Sequence, residues 1–152
     1  MEFALVLPQI LLVLVAVVEF GWVVFNYTQL YNGLREGLRY GSVPSFSTTP
    51  AYKDCSGIRA AIKNTAPQLG IADSEIDIQY DPGNYSTSNL MVADCKGTGG
   101  MFEFLNGNSV MQSGDRVVIA INHQEQFLTA IISTFAPNGF NINFTAARSI
   151  FS

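Results

Sequence analysis

The longest feature of the hydrophobic pattern is an apolar run at the N-terminus. Residues 3–18 carry no charge, and only Pro8 and Gln9 interrupt the apolar sequence, which continues past Glu19 to Phe25. Crossing the hydrocarbon core of a bilayer takes about 20 mostly apolar residues. The pattern therefore predicts a segment that lies in a membrane or in an equally dry environment. A cleaved secretory signal fits poorly, because no basic residues precede the run and no small-residue cleavage site follows it.

The helical period continues beyond the apolar run. Apolar and aromatic residues recur at steps of three and four as far as Leu38, which predicts one helix over about residues 3–40. At 1.5 Å per residue this helix is roughly 57 Å long, nearly twice the ~30 Å thickness of the hydrocarbon core. Its C-terminal half must therefore leave the membrane and carry the rest of the chain. Pro8 removes one backbone donor and marks a candidate kink.

Gly33, Gly37 and Gly41 lie four residues apart and form a stripe of small residues on the C-terminal half of this helix. Such a stripe lets another backbone approach closely. The partner is either the chain's own globular domain or a neighbouring copy in an assembly, and the sequence leaves both open.

Two acidic residues, Glu2 and Glu19, interrupt the apolar run. An ionised carboxylate at the bilayer centre costs about 2.5–3.5 kcal/mol, so each acid needs protonation, a partner or an interfacial position. No Lys or Arg precedes Arg35, which leaves the amino group of Met1 as the cation of this segment. We therefore predict that Met1 of one copy pairs with Glu2 or Glu19 of a neighbouring copy. The alternative places Glu2 among the lipid headgroups and leaves Glu19 protonated.

The pattern changes after residue 43, which predicts a helical segment over residues 1–43 and a globular head over residues 44–152. In the head, Thr49 as N-cap and Pro50 as the first helical residue predict a second helix that ends near Ala66. This helix has one apolar face, as expected for packing on a sheet.

Three strands follow in the predicted head. Residues 75–80 alternate between apolar and polar side chains, residues 117–121 are apolar on both faces, and residues 140–145 alternate again. We predict an α+β fold, in which a long N-terminal hydrophobic helix carries a small head with one helix packed on an antiparallel sheet. The apolar residues between the last two strands follow a helical period instead, namely Phe127, Leu128, Ile131, Ile132 and Phe135.

The chemistry of the chain argues against catalysis and against nucleic acid as a partner. Eight Lys and Arg against 12 Asp and Glu give a net charge of −4, the opposite of what a polyanion-binding surface needs. The glycine-rich residues 97–100 lack the lysine of a phosphate-binding loop, and we find neither a nucleophile elbow nor a paired-histidine zinc motif. We expect no enzymatic activity, metal or cofactor. The single histidine, His123, is expected at a strand end or at the surface.

Three short motifs mark the N-terminal helix: EFALVLP at residues 2–8, EFG at residues 19–21 and REGLRY at residues 35–40. In this order and spacing they resemble the N-terminal region of TadE-like pilins, the tight-adherence branch of the type IV pilin superfamily. The resemblance covers about the first 43 residues. More weakly, residues 144–149 resemble the last strand of that family.

The resemblance implies a precursor whose short basic leader is cut by a prepilin peptidase. It also implies a head outside the cytoplasm and assembly by pilus machinery into a homo-oligomeric filament at the cell surface, with a membrane-inserted pool before assembly. The expected function is that of a structural pilin subunit for adhesion or surface attachment. The alternatives are a minor pilin or assembly factor that primes a filament of another subunit, and a single-pass membrane protein whose extracytoplasmic head binds a ligand without polymerising.

Cys55 and Cys95 are the only cysteines. An even count in a head outside the cytoplasm favours a disulfide, with two reduced thiols as the alternative. Three triplets match the pattern of a glycan acceptor, although such triplets arise easily by chance. They begin at Asn26, Asn84 and Asn143.

Overall fold

The computed structural model describes residues 2–43, 49–83, 91–97, 100–129, 134 and 138–150. A long N-terminal helix leads into a five-stranded antiparallel sheet, and a second helix packs beside the first on one face of that sheet. This is the α+β architecture predicted from the sequence.

The first helix, α1, spans Glu2–Ser42 and is 41 residues long. It continues through Pro8 and includes the whole of the helix predicted over about residues 3–40. At 1.5 Å per residue its length is about 62 Å. A basic residue, Arg39, lies in the last turn, where a positive charge interacts favourably with the helix dipole.

The second helix, α2, spans Cys55–Thr65 and begins later than predicted. Residues Ala51–Lys53 form a short 3-10 helix instead, and the side chain of Asp54 accepts a hydrogen bond of 2.8 Å from the amide of Gly57. The predicted N-cap Thr49 and first residue Pro50 are therefore wrong. The carboxylate of Asp54 provides the cap, because its oxygen reaches a free amide of the first turn.

The sheet has five strands, β1 to β5, which in chain order span Ile76–Asp81, Ala93–Gly97, Met101–Phe104, Arg116–Glu125 and Phe140–Ser149. Their order in the sheet is β3-β2-β1-β4-β5, and all neighbouring strands are antiparallel. Strands β1, β4 and β5 confirm the three predicted ones, and β4 pairs on both sides as a central strand should. The short strands β2 and β3 were not predicted.

The core lies between one face of the sheet and the two helices. The C-terminal half of α1 contributes Leu30, Leu34 and Leu38, all of them buried. From the sheet, Tyr80 and Ile119 face the helices with no exposed surface, and burial raises the pKa of the Tyr80 hydroxyl above its usual range. The head is therefore built on α1 and shares its core.

The opposite face of the sheet is polar. It carries an ion pair of 3.2 Å between Lys96 and Asp77 and a second between Arg116 and Asp81.

The segment after β4 does not begin as the predicted helix, since residues 126–129 are irregular. Three of the residues on which that prediction rested, Ile131, Ile132 and Phe135, lie outside the described residues.

Candidate membrane and assembly surface

The N-terminal part of α1 is apolar and uncovered. Nearly all side chains of residues 6–18 are exposed, with Leu7 at 64%, Leu12 at 68% and Val17 at 64%. Among the described residues, α1 is the one helix long and apolar enough to cross a membrane, over Val6–Ser42. An exposed apolar surface of this extent is not stable in water, so it needs lipid or another protein as a partner.

Aromatic side chains gather where the head first meets α1. Trp22 stacks on Phe25 with ring centroids 6.0 Å apart, and Tyr27 and Tyr31 pack on Phe144 of β5 at 4.7 and 6.0 Å. Trp and Tyr are enriched at membrane interfaces, because their rings are apolar and their N–H or O–H groups are polar. The four residues Trp22, Phe25, Tyr27 and Tyr31 are called the aromatic level of α1 below.

Among the side chains of α1 that the structure describes, Glu19 is the first that the head buries, and only 4% of its surface is exposed. Its two carboxylate oxygens accept hydrogen bonds from the backbone amides of Leu128 at 2.7 Å and Thr129 at 3.2 Å. The sequence offers no partner for Glu19 within its own apolar segment. The head of the same chain supplies two donors to the buried carboxylate, and the sequence did not indicate them.

The intermolecular pairing of Met1 with Glu2 or Glu19 stays a prediction. Met1 and the side chain of Glu2 lie outside the described residues. Pro8 lies on the exposed part of α1, and its role in assembly also stays a prediction.

The glycine stripe contacts the chain's own second helix. A Cβ atom at Gly33 would lie 3.1 Å from the carbonyl oxygen of Ile62, and one at Gly37 would lie 2.5 Å from Cγ1 of the same residue. At Gly41 it would lie 3.1 Å from Cδ1 of Ile58. Of the two partners that the sequence left open, α2 is therefore the one that uses the stripe. The alternative, in which a neighbouring copy packs at Gly33 and Gly37 in an assembly, is wrong, because α2 occupies the space beside them.

The three candidate glycan acceptors differ in their exposure to solvent. Asn26 has no exposed surface, so the prediction of a glycan at this residue is wrong for this fold. Within the described part of the chain, neither polar atom of its amide has a hydrogen-bond partner. Asn143 is exposed on β5, and its modification stays a prediction, whereas Asn84 lies outside the described residues.

The predicted disulfide is present. Cys55 at the start of α2 and Cys95 in β2 are joined by an S–S bond of 2.00 Å, and the two residues are 40 positions apart. The bond ties the second helix to the sheet.

His123 lies near the end of β4 and is buried, with 7% of its surface exposed, so of its two predicted locations the strand end fits and the surface is wrong. Its Nδ1 lies 3.0 Å from Oε1 of Glu75, and its Nε2 lies 3.2 Å from Oε1 of Glu125. The ring links β4 to the turn that precedes β1. Both ring nitrogens therefore contact carboxylates of the same chain.

A surface cleft of about 850 Å³ lies between α2 and the edge strand β3. Its basic side chains make contacts within the chain: Arg59 donates to the carbonyl oxygens of Cys95 and Gly100 at 3.1 Å, and Lys63 pairs with Asp73 at 2.6 Å. No group of three or more His, Cys, Asp or Glu side chains in the described ranges could hold a metal ion.

These features define a class of protein, in which one candidate membrane helix carries a disulfide-linked α+β head on its C-terminal half. The family model described as TadE-like protein matches residues 1–39, the segment in which the sequence motifs predicted this resemblance. No curated protein and no solved structure matches the chain significantly.

Proposed function

We propose that the chain is a structural pilin subunit of a Tad-type pilus. It is held in the membrane by α1 before assembly and polymerises through the same helix into an extracellular filament that mediates adhesion or surface attachment. The observation that carries the proposal is the uncovered apolar surface of residues 6–18, which the head of the same chain leaves free. The TadE-like match over residues 1–39 supports the link to the Tad pilus.

Assembly removes the apolar surface of residues 6–18 from water. Burial of apolar area stabilises an assembly by about 25 cal/mol per Å², and helices packed side by side remove this surface from water without lipid. A bundle of α1 helices can therefore replace the bilayer when a subunit leaves it. Among the residues that the structure describes, the head covers α1 from Glu19 onward and does not obstruct packing along residues 6–18.

A contact between subunits is part of the proposal. The amino group of Met1 pairs with a carboxylate of a neighbouring copy, as predicted from the lack of other cations in this segment. Because Glu19 already accepts two hydrogen bonds from its own head, we assign this role to Glu2. A prepilin peptidase and the pilus assembly machinery are the further partners that the resemblance implies. We propose a structural role for the head and no catalytic one.

The experiment is quantitative mass spectrometry of fibres sheared from the cell surface, with the N-terminus of the mature chain determined on the same sample. We expect the chain to be the main component of the fibres and its N-terminus to be processed. A few copies per fibre would indicate a minor pilin or assembly factor. Absence from the fibres, with the chain retained in the membrane, would indicate a single-pass membrane protein and contradict the proposal.

A further inference from the structure

The segment that follows β4 leaves the sheet and reaches α1 in its apolar part. Phe127 packs against Phe140 with ring centroids 5.7 Å apart, and Leu128 is 55% exposed. The amides of Leu128 and Thr129 bind Glu19 of α1. In the sequence, residues 126–147 contain no Asp, Glu, Lys or Arg. This part of the head is therefore uncharged where it meets the membrane helix.

The position of Glu19 along α1 gives the height of this contact. Glu19 precedes Trp22 by three residues and Phe25 by six. At a rise of 1.5 Å per residue, it lies roughly 4.5 Å and 9 Å nearer the N-terminus than these two residues. If the aromatic level of α1 lies at the membrane interface, then Glu19 and the two amides that it binds lie on the hydrocarbon side of that interface.

We propose that residues 127–129 form a second membrane contact, which inserts beside α1 into the acyl-chain layer of a phospholipid bilayer. The inference rests on the part of the proposed function that places α1 in a membrane, and it does not depend on filament assembly. The exposed side chain of Leu128 faces the lipid. The depth corresponds to the ~5–10 Å at which interfacial apolar segments are buried.

The contact with Glu19 satisfies the two backbone amides of such an inserted segment. A backbone amide in hydrocarbon has no water to bind, so irregular backbone is tolerated there only when its polar groups are satisfied by protein. The carboxylate of Glu19 accepts from both amides of the segment and is itself almost fully buried. The acid in the apolar run thus acts as a positioning residue for the inserted segment.

Lipid is the occupant that the surroundings favour. On α1, the exposed side chains of Val18 at 57% and Phe20 at 70% flank Glu19 and continue the apolar surface of the candidate membrane span. Apolar side chains are therefore exposed on both sides of the residue that Leu128 binds, and they belong to the span that the bilayer covers in the proposed function. A second copy of the chain is the competing occupant, and the experiment separates the two.

Tryptophan fluorescence tests the proposal on the full chain in phosphatidylcholine vesicles, at a dilution of about one chain per vesicle. The chain has one tryptophan, so a Trp22→Phe background frees the signal for a single reporter. The reporters are Leu128→Trp, Val13→Trp in the exposed part of α1 and Met101→Trp on β3, which are all exposed positions. Lipids brominated on their acyl chains quench from the membrane, and acrylamide quenches from water.

We expect Leu128→Trp to be quenched by the brominated lipids as strongly as Val13→Trp and to be protected from acrylamide, with the opposite behaviour for Met101→Trp. Quenching of Leu128→Trp by acrylamide alone would overturn the proposal, and so would protection from both quenchers, which would indicate a protein partner. If Val13→Trp is also not quenched by lipid, α1 is outside the membrane and the proposed function fails as well.

A second variant tests the role of Glu19. Adding Glu19→Ala to the Leu128→Trp reporter removes both acceptors, and we expect the reporter to lose lipid quenching and to gain acrylamide quenching. Unchanged lipid quenching would overturn the assignment of Glu19 as the positioning residue. Adding Gln9→Ala instead serves as the matched control, since Gln9 is an exposed polar residue of the same helix.

Discussion

At the scale of single residues, Asp54 connects the two helices. Its carboxylate accepts hydrogen bonds from the amide of Gly57 at 2.8 Å and the hydroxyls of Ser56 at 2.7 Å and Tyr40 at 2.8 Å. The amide of Gly57 is the main reason why the pKa of Asp54 lies below its usual range. One side chain therefore caps α2 and contacts α1 near its C-terminus.

Removal of this cap should destabilise the head. For Asp54→Ala we expect the free energy of unfolding to fall by about 1–2 kcal/mol, because a helix amide and a tyrosine hydroxyl lose their acceptor. Urea denaturation in detergent micelles measures the change, and Asn64→Ala on the exposed side of α2 is the control. Equal losses in the two variants would contradict the capping role.

The ion pair between Asp81 and Arg116 predicts that the stability of the folded state depends on pH. Nε and a terminal nitrogen of Arg116 donate to the carboxylate at 2.7 and 2.8 Å, and these hydrogen bonds lower the pKa of Asp81. A carboxyl whose pKa is lowered by folding stabilises the folded state above its unfolded pKa, and that contribution disappears as the pH falls through the folded value.

We therefore expect Asp81→Asn to be less stable than the parent chain at neutral pH by up to about 1 kcal/mol, since the pair is partly exposed. The difference should shrink below about pH 4, near the unfolded pKa of an aspartate. Unfolding midpoints measured across this pH range provide the test. A difference that stays constant at all pH values would show that the pair's charge is not its source.

Glu19 illustrates which part of the site the sequence could predict. Its position in an apolar run showed that the acid needs a partner, because an isolated carboxylate is costly there. The donors that it uses are 109 and 110 residues away along the chain and are backbone amides, which carry no side-chain signature. The prediction of a glycan acceptor at Asn26 is wrong for a related reason: the triplet pattern contains no information on whether the residue is buried.

At the scale of elements, the packing of α1 on α2 depends on the glycine stripe. A methyl group at Gly37 would meet Ile62 at 2.5 Å, whereas one at Gly21 would have no atom within 4 Å among the described residues. Both glycines lie in the same helix, where alanine is intrinsically preferred by about 1 kcal/mol. The two positions therefore separate close packing from helix propensity.

We expect Gly37→Ala to lower the stability of the head by about 1–3 kcal/mol, because the added methyl group overpacks the contact. Gly21→Ala should leave the stability of the head unchanged or slightly raised. Thermal unfolding of the two variants in the same detergent gives the comparison. Similar midpoints for both would mean that the helices do not pack closely at Gly37.

The elements that the sequence predicted are those with a long or regular pattern. Helix α1 has an extended apolar run, and β1, β4 and β5 have clear alternation or a continuous apolar stretch. Strand β3 has only four residues, and β2 places Asp94 and Lys96 on either side of its cysteine, so neither gives a distinctive period. The start of α2 was misplaced because Pro50 is compatible with the first turn of either a 3-10 or an α-helix.

At the scale of the whole molecule, the disulfide joins parts of the head that are far apart in sequence. Cys55 and Cys95 are 40 positions apart, and the chain between them includes β1. In the chain-entropy model, closing a loop of this size stabilises the folded state by roughly 4 kcal/mol.

We expect the double variant Cys55→Ala with Cys95→Ala to lose stability of about that size, with reductant having the same effect on the parent chain. Reductant should have no further effect on the double variant. Denaturation with and without dithiothreitol measures both. A parent chain whose unfolding midpoint is insensitive to reduction would contradict the expected contribution.

The two halves of α1 have different surroundings in the whole molecule. Its C-terminal half is part of the core of the head, through Leu30, Leu34 and the glycine stripe, and its N-terminal half is left for lipid or for other copies. Because the head is built directly on the helix, the movement from a bilayer into a filament that the proposed function includes would require no unfolding of the head. The account predicts that the same exposed surface serves in both environments.

Photo-crosslinking in purified fibres tests this claim most directly. A benzophenone amino acid in place of Leu12, which is 68% exposed in the uncovered part of α1, should yield chain-to-chain adducts in assembled fibres and lipid adducts in membranes before assembly. The same group in place of Val110, which is 63% exposed on the head, is the control for contacts outside the helix. Fibres that contain the chain but give no chain-to-chain adducts from Leu12 would contradict the account.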